Sequence, residues 1–138
     1  MKLLAEFEGV ALVRRSAQVA LGSSAHAVIV VTGHRRLEIE AALDGLGVEC
    51  IENTKYDHGM ATSLTTGISY CDARGANAVL VLLADMPGLT TAHLDRLLQL
   101  SARPTAKWWC VQWEMANPEI PLYFQNRYSR QSRVSKAM

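Results

Sequence analysis

An aspartate that closes an apolar run is the first candidate for chemistry. Residues Ala78 to Ala84 are apolar throughout, and Asp85-Met86-Pro87-Gly88 follows them. A carboxylate at the carboxyl end of a buried strand can hold Mg2+, a hard ion that takes a few protein oxygens and completes its shell with water or phosphate oxygens. It can also accept a phosphoryl group, or simply open a turn, because Asp, Pro and Gly are turn residues. A Walker-B strand would need a Gly-x-x-x-x-Gly-Lys-Ser/Thr loop elsewhere, and the chain has none. A receiver domain would place its aspartate several residues ahead of a Met-Pro-Gly, with an acidic pair after an early strand. Here Asp85 adjoins the tripeptide and the pair is missing.

Two further stretches are candidates for binding. The connection from Asn53 to Leu64, Asn-Thr-Lys-Tyr-Asp-His-Gly-Met-Ala-Thr-Ser-Leu, is polar and leads into a helical pattern. The first turn of a helix offers unpaired backbone N–H groups and a positive dipole end, which suits a phosphate, and Ser63 could add a hydroxyl. A well-capped helix after a surface loop would look the same. Thr32-Gly33-His34 ends another apolar run, and Gly33 permits a tight turn there. His34 reads as a solvated cap at a helix start. His26, His58 and His93 show no metal-ligand spacing.

These residues need elements to position them. Ala27 to Thr32, Val48 to Ile51 and Ala78 to Ala84 are apolar runs, and the first and last do not alternate with polar residues. That pattern predicts parallel strands covered on both faces. Helical periods lie between them. Val10, Val13, Ala17, Ala20 and Leu21 mark one helix, with Gly22 as a candidate C-cap. Leu37, Ala41 and Leu43 or Leu46 mark a second, closing near Gly45 and Gly47. Met60, Leu64, Ile68 and Cys71 mark a third, and Leu94, Leu97 and Leu98 a fourth with Thr90 or Thr91 as its N-cap. Alternating helix and strand with short joins implies right-handed crossovers and a parallel α/β sheet. The chain is expected to open on a helix, without the strand and ligand-holding loop that normally begin such sheets.

Composition bounds the reading. A chain of 138 residues suits one domain, and 49% hydrophobic with 20% charged residues is ordinary globular composition. The formal charge of +1 argues against a nucleic-acid surface. No apolar run approaches the roughly eighteen residues of a membrane span, and Glu6 and Glu8 interrupt any signal-peptide core. Cys50, Cys71 and Cys110 form no Cys-x-x-Cys pair, so neither zinc nor a disulfide framework is indicated and a cytoplasmic location is expected. The tail differs: Trp108, Trp109 and Trp113 crowd together, and Ser129 to Lys136 is polar, basic and expected to fray. The expected organisation is therefore a domain over 1–105 and an atypical tail over 106–138.

Four stretches together resemble the MobA-like NTP transferase family, the molybdenum-cofactor nucleotidyltransferases. Lys2-Leu3-Leu4 resembles the end of the signature Leu-Ala-Ala-Gly-x-Ser-x-Arg-Met-Gly-x-x-Lys-Leu-Leu. Val30-Val31-Thr32-Gly33-His34 resembles Val-Thr-Gly-His. Asn53 with Gly59-Met60-Ala61-Thr62-Ser63-Leu64 and Gly67 resembles Asn-(Pro)-x-x-x-x-Gly-Met-x-x-Ser-Leu-x-x-Gly. Leu83-Ala84-Asp85-Met86-Pro87 resembles Asp-Met-Pro or Asp-Gln-Pro.

The resemblance implies a Rossmann-like three-layer α/β/α nucleotidyltransferase fold with a mostly parallel sheet. It implies transfer of CMP or GMP from CTP or GTP to molybdopterin, with release of pyrophosphate. Asp85 would hold Mg2+, Lys2 would meet nucleotide phosphates, and Thr32, Gly33, Asn53, Gly59, Met60 and Ser63 would line the substrate cleft. A homodimer covering an exposed sheet is a further expectation. Two other functions stay open: a remnant that only binds or dimerises, and a sugar- or isoprenoid-type nucleotidyltransferase on the same scaffold.

The departures from the family pattern carry expectations too. The Gly-rich loop ahead of Lys2 and its strand are missing from this sequence, as is a later Gly-Asp-x-Gly-Ala-Arg segment, so activity is expected to be weak or absent. The missing strand lies mid-sheet in the family. Its loss is expected to leave the strands at 27–32 and 78–84 paired directly or flanking a gap. Read back through degenerate codons and shifted by one step, Trp108 to Pro121 permits Val-Val-Arg-Ala-Val-Gly-Asn-Gly-Lys-Pro-Gly-Asn-Pro, which resembles the family's next motif. A change of reading frame between about Leu100 and Lys107 is therefore expected, with the Trp cluster an accident of translation.

Overall fold

The structure is a computed structural model that describes residues 4–83, 86 and 88–100, apart from the side chain of Met60, together with the backbone of strands at 108–113, 123–126 and 134–136. In chain order the elements are β1 (Glu6–Phe7), β2 (Val10–Ala11), α1 (Leu12–Leu21), β3 (Ala27–Thr32), α2 (Arg36–Ala42), β4 (Glu49–Glu52), a 3-10 turn (Tyr56–His58), α3 (Met60–Ala73), β5 (Ala78–Leu83), α4 (Thr91–Leu100), β6 (Trp108–Trp113), β7 (Tyr123–Asn126) and β8 (Val134–Lys136).

The main sheet has the order β4-β3-β6-β5-β7-β8. β4, β3, β6 and β5 run parallel, while β7 and β8 are antiparallel to their neighbours. The unbroken apolar runs explain β3 and β5. Every residue of β5 is buried, as is every residue of β3 after Ala27. Strands covered on both faces have no polar side to alternate with. The covers are helices. Leu64, Ile68 and Cys71 of α3 pack with Ile29, Val31, Val79 and Val81 on one face. Ala20 of α1 and Leu94 and Leu98 of α4 pack with Val28, Leu80 and Leu82 on the other. Val13, Ala17, Ile39 and Leu43 join α1 to α2 over Val30 on that same face. The three-layer α/β/α architecture is therefore as expected. Each fully buried Leu, Ile or Val contributes roughly 1.5–3 kcal/mol.

Three local expectations are corrected. The first helix is preceded by a small hairpin: Glu8 and Gly9 both have positive φ (54° and 79°), the turn geometry that closes a two-residue hairpin loop. Leu37 is 77% exposed, because Ile39 and Leu43, four apart, set the buried side of α2. His34 is exposed and is not the cap of α2. Arg35 holds that position in the left-handed region. By contrast Thr90 caps α4 as expected: the His93 N–H donates to its Oγ1 at 3.2 Å, and the Thr90 N–H donates back to His93 Nδ1 at 3.1 Å.

The largest correction concerns the sheet's middle. β3 and β5 neither pair directly nor flank a gap. β6 lies between them, parallel to both, with Val111 opposite Ile29 on one side and Val81 on the other. Two open parallel edges face each other across one strand's width, and Trp-Trp-Cys-Val-Gln-Trp is rich in residues that favour strands. The segment expected to fray is also partly ordered into β8, which pairs with β7.

Candidate functional site

The carboxyl ends of β3, β4 and β5 lie along one edge of the sheet, since all three strands point the same way. Val31 and Leu83 both pair with Trp113, so β3 and β5 end at the same level, two strand spacings or roughly 10 Å apart. Open α/β sheets bind ligands at this edge.

Asn53, the first residue after β4, organises it. The residue is 3% exposed, and its backbone N–H and both ends of its side-chain amide have partners. Its backbone N–H donates to the Thr32 carbonyl at 2.7 Å, which fixes the β4 exit against the end of β3. Its side-chain amide donates to Thr62 Oγ1 at 2.8 Å and to Ser63 Oγ at 2.9 Å. Its Oδ1 accepts the Lys55 N–H at 3.0 Å. One buried amide thus ties the strand end, the following loop and the first turn of α3 together. A buried amide left unpaired would cost about 1–3 kcal/mol, so such a hub exists only where all its bonds are made. Thr32 is buried as well, and its hydroxyl donates to the Ile51 carbonyl at 3.2 Å.

The start of α3 is bare of side-chain caps. Gly59 stands at its N-cap with φ 116° and ψ 166°, a backbone conformation open almost only to glycine. The Thr62 hydroxyl lies 2.7 Å from the Gly59 carbonyl and 2.9 Å from that of Lys55, so it steadies the turn from within. Between the loop after β4 and the first turns of α3 is a groove of about 440 Å3. Glu52, Asn53 and Lys55 line one wall, and Ala61, Thr62 and Thr66 the other. Lys55 supplies a cation there, while the Glu52 carboxylate is engaged by Arg36 at 2.8 Å. Hydroxyls, an ammonium and a helix N-terminus suit an anionic, hydroxyl-bearing ligand.

Gly33 follows β3 and admits the 3-10 turn. A Cβ on Gly33 would stand 2.6 Å from the Tyr56 Cβ and 2.9 Å from its Cγ. The Tyr56 ring lies with its centroid 6.0 Å from that of His34, at 50°, and the residue is 47% exposed.

Of the expected site residues, Thr32, Asn53, Gly59 and Ser63 fall in one connected network, Gly33 borders it, and Met60 opens α3. Asp85 and Lys2 lie outside the described residues. Among the described residues no group of three or more His, Cys, Asp or Glu side chains could hold a metal ion. None of their helices is long and apolar enough to cross a membrane. Sequence reasoning missed Thr62, whose signal was a hydroxyl three residues after an N-cap glycine. It also missed Tyr56, whose contact with Gly33 leaves no trace in sequence spacing.

Residues 1–136 match the profile of the MobA-like NTP transferase domain. Nicotine blue oxidoreductase of Paenarthrobacter nicotinovorans is 30% identical over 103 residues, covering 75% of this chain and 49% of that protein. A nucleotidyl transferase from Methanothermobacter thermautotroptrophicus is similar in structure, with a TM-score of 0.65 and 32% identity over 72% of this chain and 44% of that one. The chain therefore spans about half the length of either relative.

Proposed function

This chain belongs to the MobA-like NTP transferase family, and from that membership we propose that it binds a nucleoside triphosphate at the carboxyl edge of its sheet and is built for nucleotidyl transfer. The acceptor in this reading is molybdopterin, and the donor is CTP or GTP. An oxygen of the acceptor's terminal phosphate bonds to the α-phosphorus. The bond from that phosphorus to the bridging oxygen breaks, and pyrophosphate leaves with the electron pair. Two anions must meet in line, so alignment and charge neutralisation are what the protein supplies.

The observation that carries this reading is the buried Asn53 hub. It holds the end of β3, the polar loop and the bare N-terminus of α3 in one arrangement. That arrangement is formed by the stretch 53–67, where the chain carries the family's Asn and Gly-Met-x-x-Ser-Leu residues. Lys55 and the first-turn N–H groups of α3 would take phosphate oxygens. Mg2+ would neutralise phosphate charge, and Asp85 is the residue proposed to hold it, with Lys2 proposed to meet the triphosphate.

The test is thermal unfolding with CTP or GTP and Mg2+, followed by turnover with molybdopterin. A ligand that binds only the native form must raise the melting temperature. We expect stabilisation by CTP or GTP and release of pyrophosphate with molybdopterin. Stabilisation with no turnover at all supports the binding-module reading, and turnover with a sugar or isoprenoid phosphate supports that branch instead. No stabilisation by either triphosphate overturns the whole reading.

A second reading has one observation behind it, the 30% identity to a protein named as an oxidoreductase. It predicts stabilisation by a redox-active aromatic compound and none by a triphosphate.

A further inference from the structure

We propose that Tyr56 is the residue on which a flat heteroaromatic ring of the substrate stacks, either the nucleobase or the pterin. The assignment rests on the nucleotidyl-transfer reading above and names the contact that reading lacks, since phosphate groups alone do not distinguish one nucleotide or acceptor from another.

Three observations carry it. Tyr56 is 47% exposed, although it sits one residue from the Asn53-bonded Lys55 at the ligand edge of the sheet. An exposed aromatic is ordinary by itself, so its fixation matters more. The ring's near atoms lie over Gly33 so closely that no other residue fits there: a Cβ would come within 2.6 Å of the Tyr56 Cβ and 3.1 Å of Cδ1. The backbone beneath is held at both ends. The Lys55 N–H is bound by Asn53 Oδ1 at 3.0 Å, and the His58 N–H donates to the Lys55 carbonyl at 2.9 Å. The glycine after β3 therefore admits a fixed aromatic side chain at the place where open α/β sheets meet their ligands. Its position also suits a two-part ligand. Lys55, the adjacent residue, lines the polar groove of about 440 Å3 that fits the anionic part. A ligand with a planar ring joined to its anionic part could engage these two neighbouring residues at once. The His34 ring, with its centroid 6.0 Å away and tilted by 50°, is not stacked parallel on the Tyr56 ring. Stacking on a pre-positioned aromatic costs little side-chain entropy, which is why such residues select flat ligands.

The experiment uses three forms of the chain: wild type, Tyr56→Phe and Tyr56→Leu. Leucine keeps Cβ, Cγ and a Cδ against Gly33 but presents no π face, so packing and stacking are separated. Equilibrium binding is measured for CTP, GTP and a stable pterin carboxylate, with inorganic tripolyphosphate as the ringless probe. Melting temperatures confirm that each variant is folded. The expected result is that Tyr56→Phe binds as wild type and Tyr56→Leu loses on the order of tenfold for one ring class. Tripolyphosphate affinity stays unchanged in both. Loss for both nucleotides assigns the platform to the base, and loss for the pterin assigns it to the acceptor. Unchanged binding of every ring by Tyr56→Leu overturns the proposal and leaves the nucleotidyl-transfer reading standing. Equal loss for tripolyphosphate also overturns it, because Tyr56 would then act only through the fold. If wild type binds none of the probes, the nucleotidyl-transfer reading falls and takes this assignment with it.

Discussion

The side-chain amide of Asn53 reaches Ser63 Oγ at 2.9 Å, and this bond joins a strand end to a helix start. Ten residues separate them in sequence, yet Asn53 is 3% exposed and its side-chain amide is bonded at both ends. Replacing Asn53 by Ala orphans the Lys55 N–H, takes away the donor to Ser63 Oγ and leaves a small void, while the Thr62 hydroxyl keeps its carbonyl partners. The expected cost is about 2–3 kcal/mol, with loss of nucleotide-dependent stabilisation. Ser63→Ala leaves the Thr62 bond in place and should cost about 1 kcal/mol. Urea unfolding of both singles and the double variant reads the coupling. Strictly additive effects would mean that the bond contributes nothing.

Two glycines of the site should fail for different reasons. A Cβ on Gly59 meets nothing within 4 Å, so Gly59→Ala is penalised only through its φ of 116°. That conformation costs about 1–3 kcal/mol for other residues. Gly33 carries no such strain, and Gly33→Ala fails by collision with the Tyr56 Cβ. In the Gly33→Ala background, Tyr56→Ala removes the Cγ and Cδ1 contacts but keeps the closest one, to Cβ, so it should recover less of the lost stability than Tyr56→Gly, which removes all three. Thermal unfolding of the four variants checks both halves, and no recovery by Tyr56→Gly would show that the collision is placed wrongly.

Cysteine chemistry should report burial. Cys71 is fully buried, and burial pushes its thiol up to about 12 from an ordinary value of 9.0. Burial also raises the half-buried Cys50 thiol. The bond from the Tyr70 hydroxyl to Glu49 raises that phenol in the same direction. Below pH 9 the native and unfolded states both hold the Cys71 proton, so it leaves stability unchanged. Between pH 9 and 12 only the native state holds it, so stability falls as pH rises. Site-resolved alkylation at pH 8 should leave Cys71 unmodified in the native chain and modify it once urea unfolds the protein. Rapid native labelling would place α3 away from the sheet.

The parts legible in the sequence were those in which local pattern and tertiary role agree. Val28 to Val31 and Val79 to Leu83 have no polar face because helices cover both sides of them. Asn53, Gly59 and Ser63 were legible through motif spacing, and the structure supplies the bonds. Other features depend on partners distant in sequence. Gly22 closes α1 as its C-cap, as its place after the helical period suggested, but with a right-handed φ of −74°. What the pattern could not show is the close approach of α4: an added Cβ would lie 3.0 Å from Thr91 Oγ1, which donates to the Val19 carbonyl. The hairpin of β1 and β2 is too short to alternate visibly. β6 was read as tail, because no local pattern says that a slot between two distant strands needs filling.

The gene should carry a record of the tail's origin. The permitted alternative reading of Trp108 to Pro121 predicts one inserted or deleted base between about Leu100 and Lys107. Sequencing the DNA across that interval decides it. If no single-base change restores Gly-Lys-Pro-Gly-Asn-Pro in frame, the present tail is the original one.

Whatever its origin, β6 makes a mechanical prediction. Val111 pairs with Ile29 and Val81, so its strand has a neighbour on each side. Proline at that position removes a ladder donor and forces its ring against a parallel neighbour, and proline is tolerated in sheets only at edges and bulges. The acceptor it abandons lies in the covered middle of the sheet, where an unpaired backbone group costs about 1–3 kcal/mol before any strain is counted. Val111→Pro should therefore lower the melting temperature by many degrees, or abolish cooperative unfolding. The same substitution at Ser135 in β8, the outermost strand, should be mild by comparison. If Val111→Pro melts with the wild type, β6 does not hold β3 and β5 together, and the carboxyl edge that carries Asn53 must keep its shape by α3 packing alone.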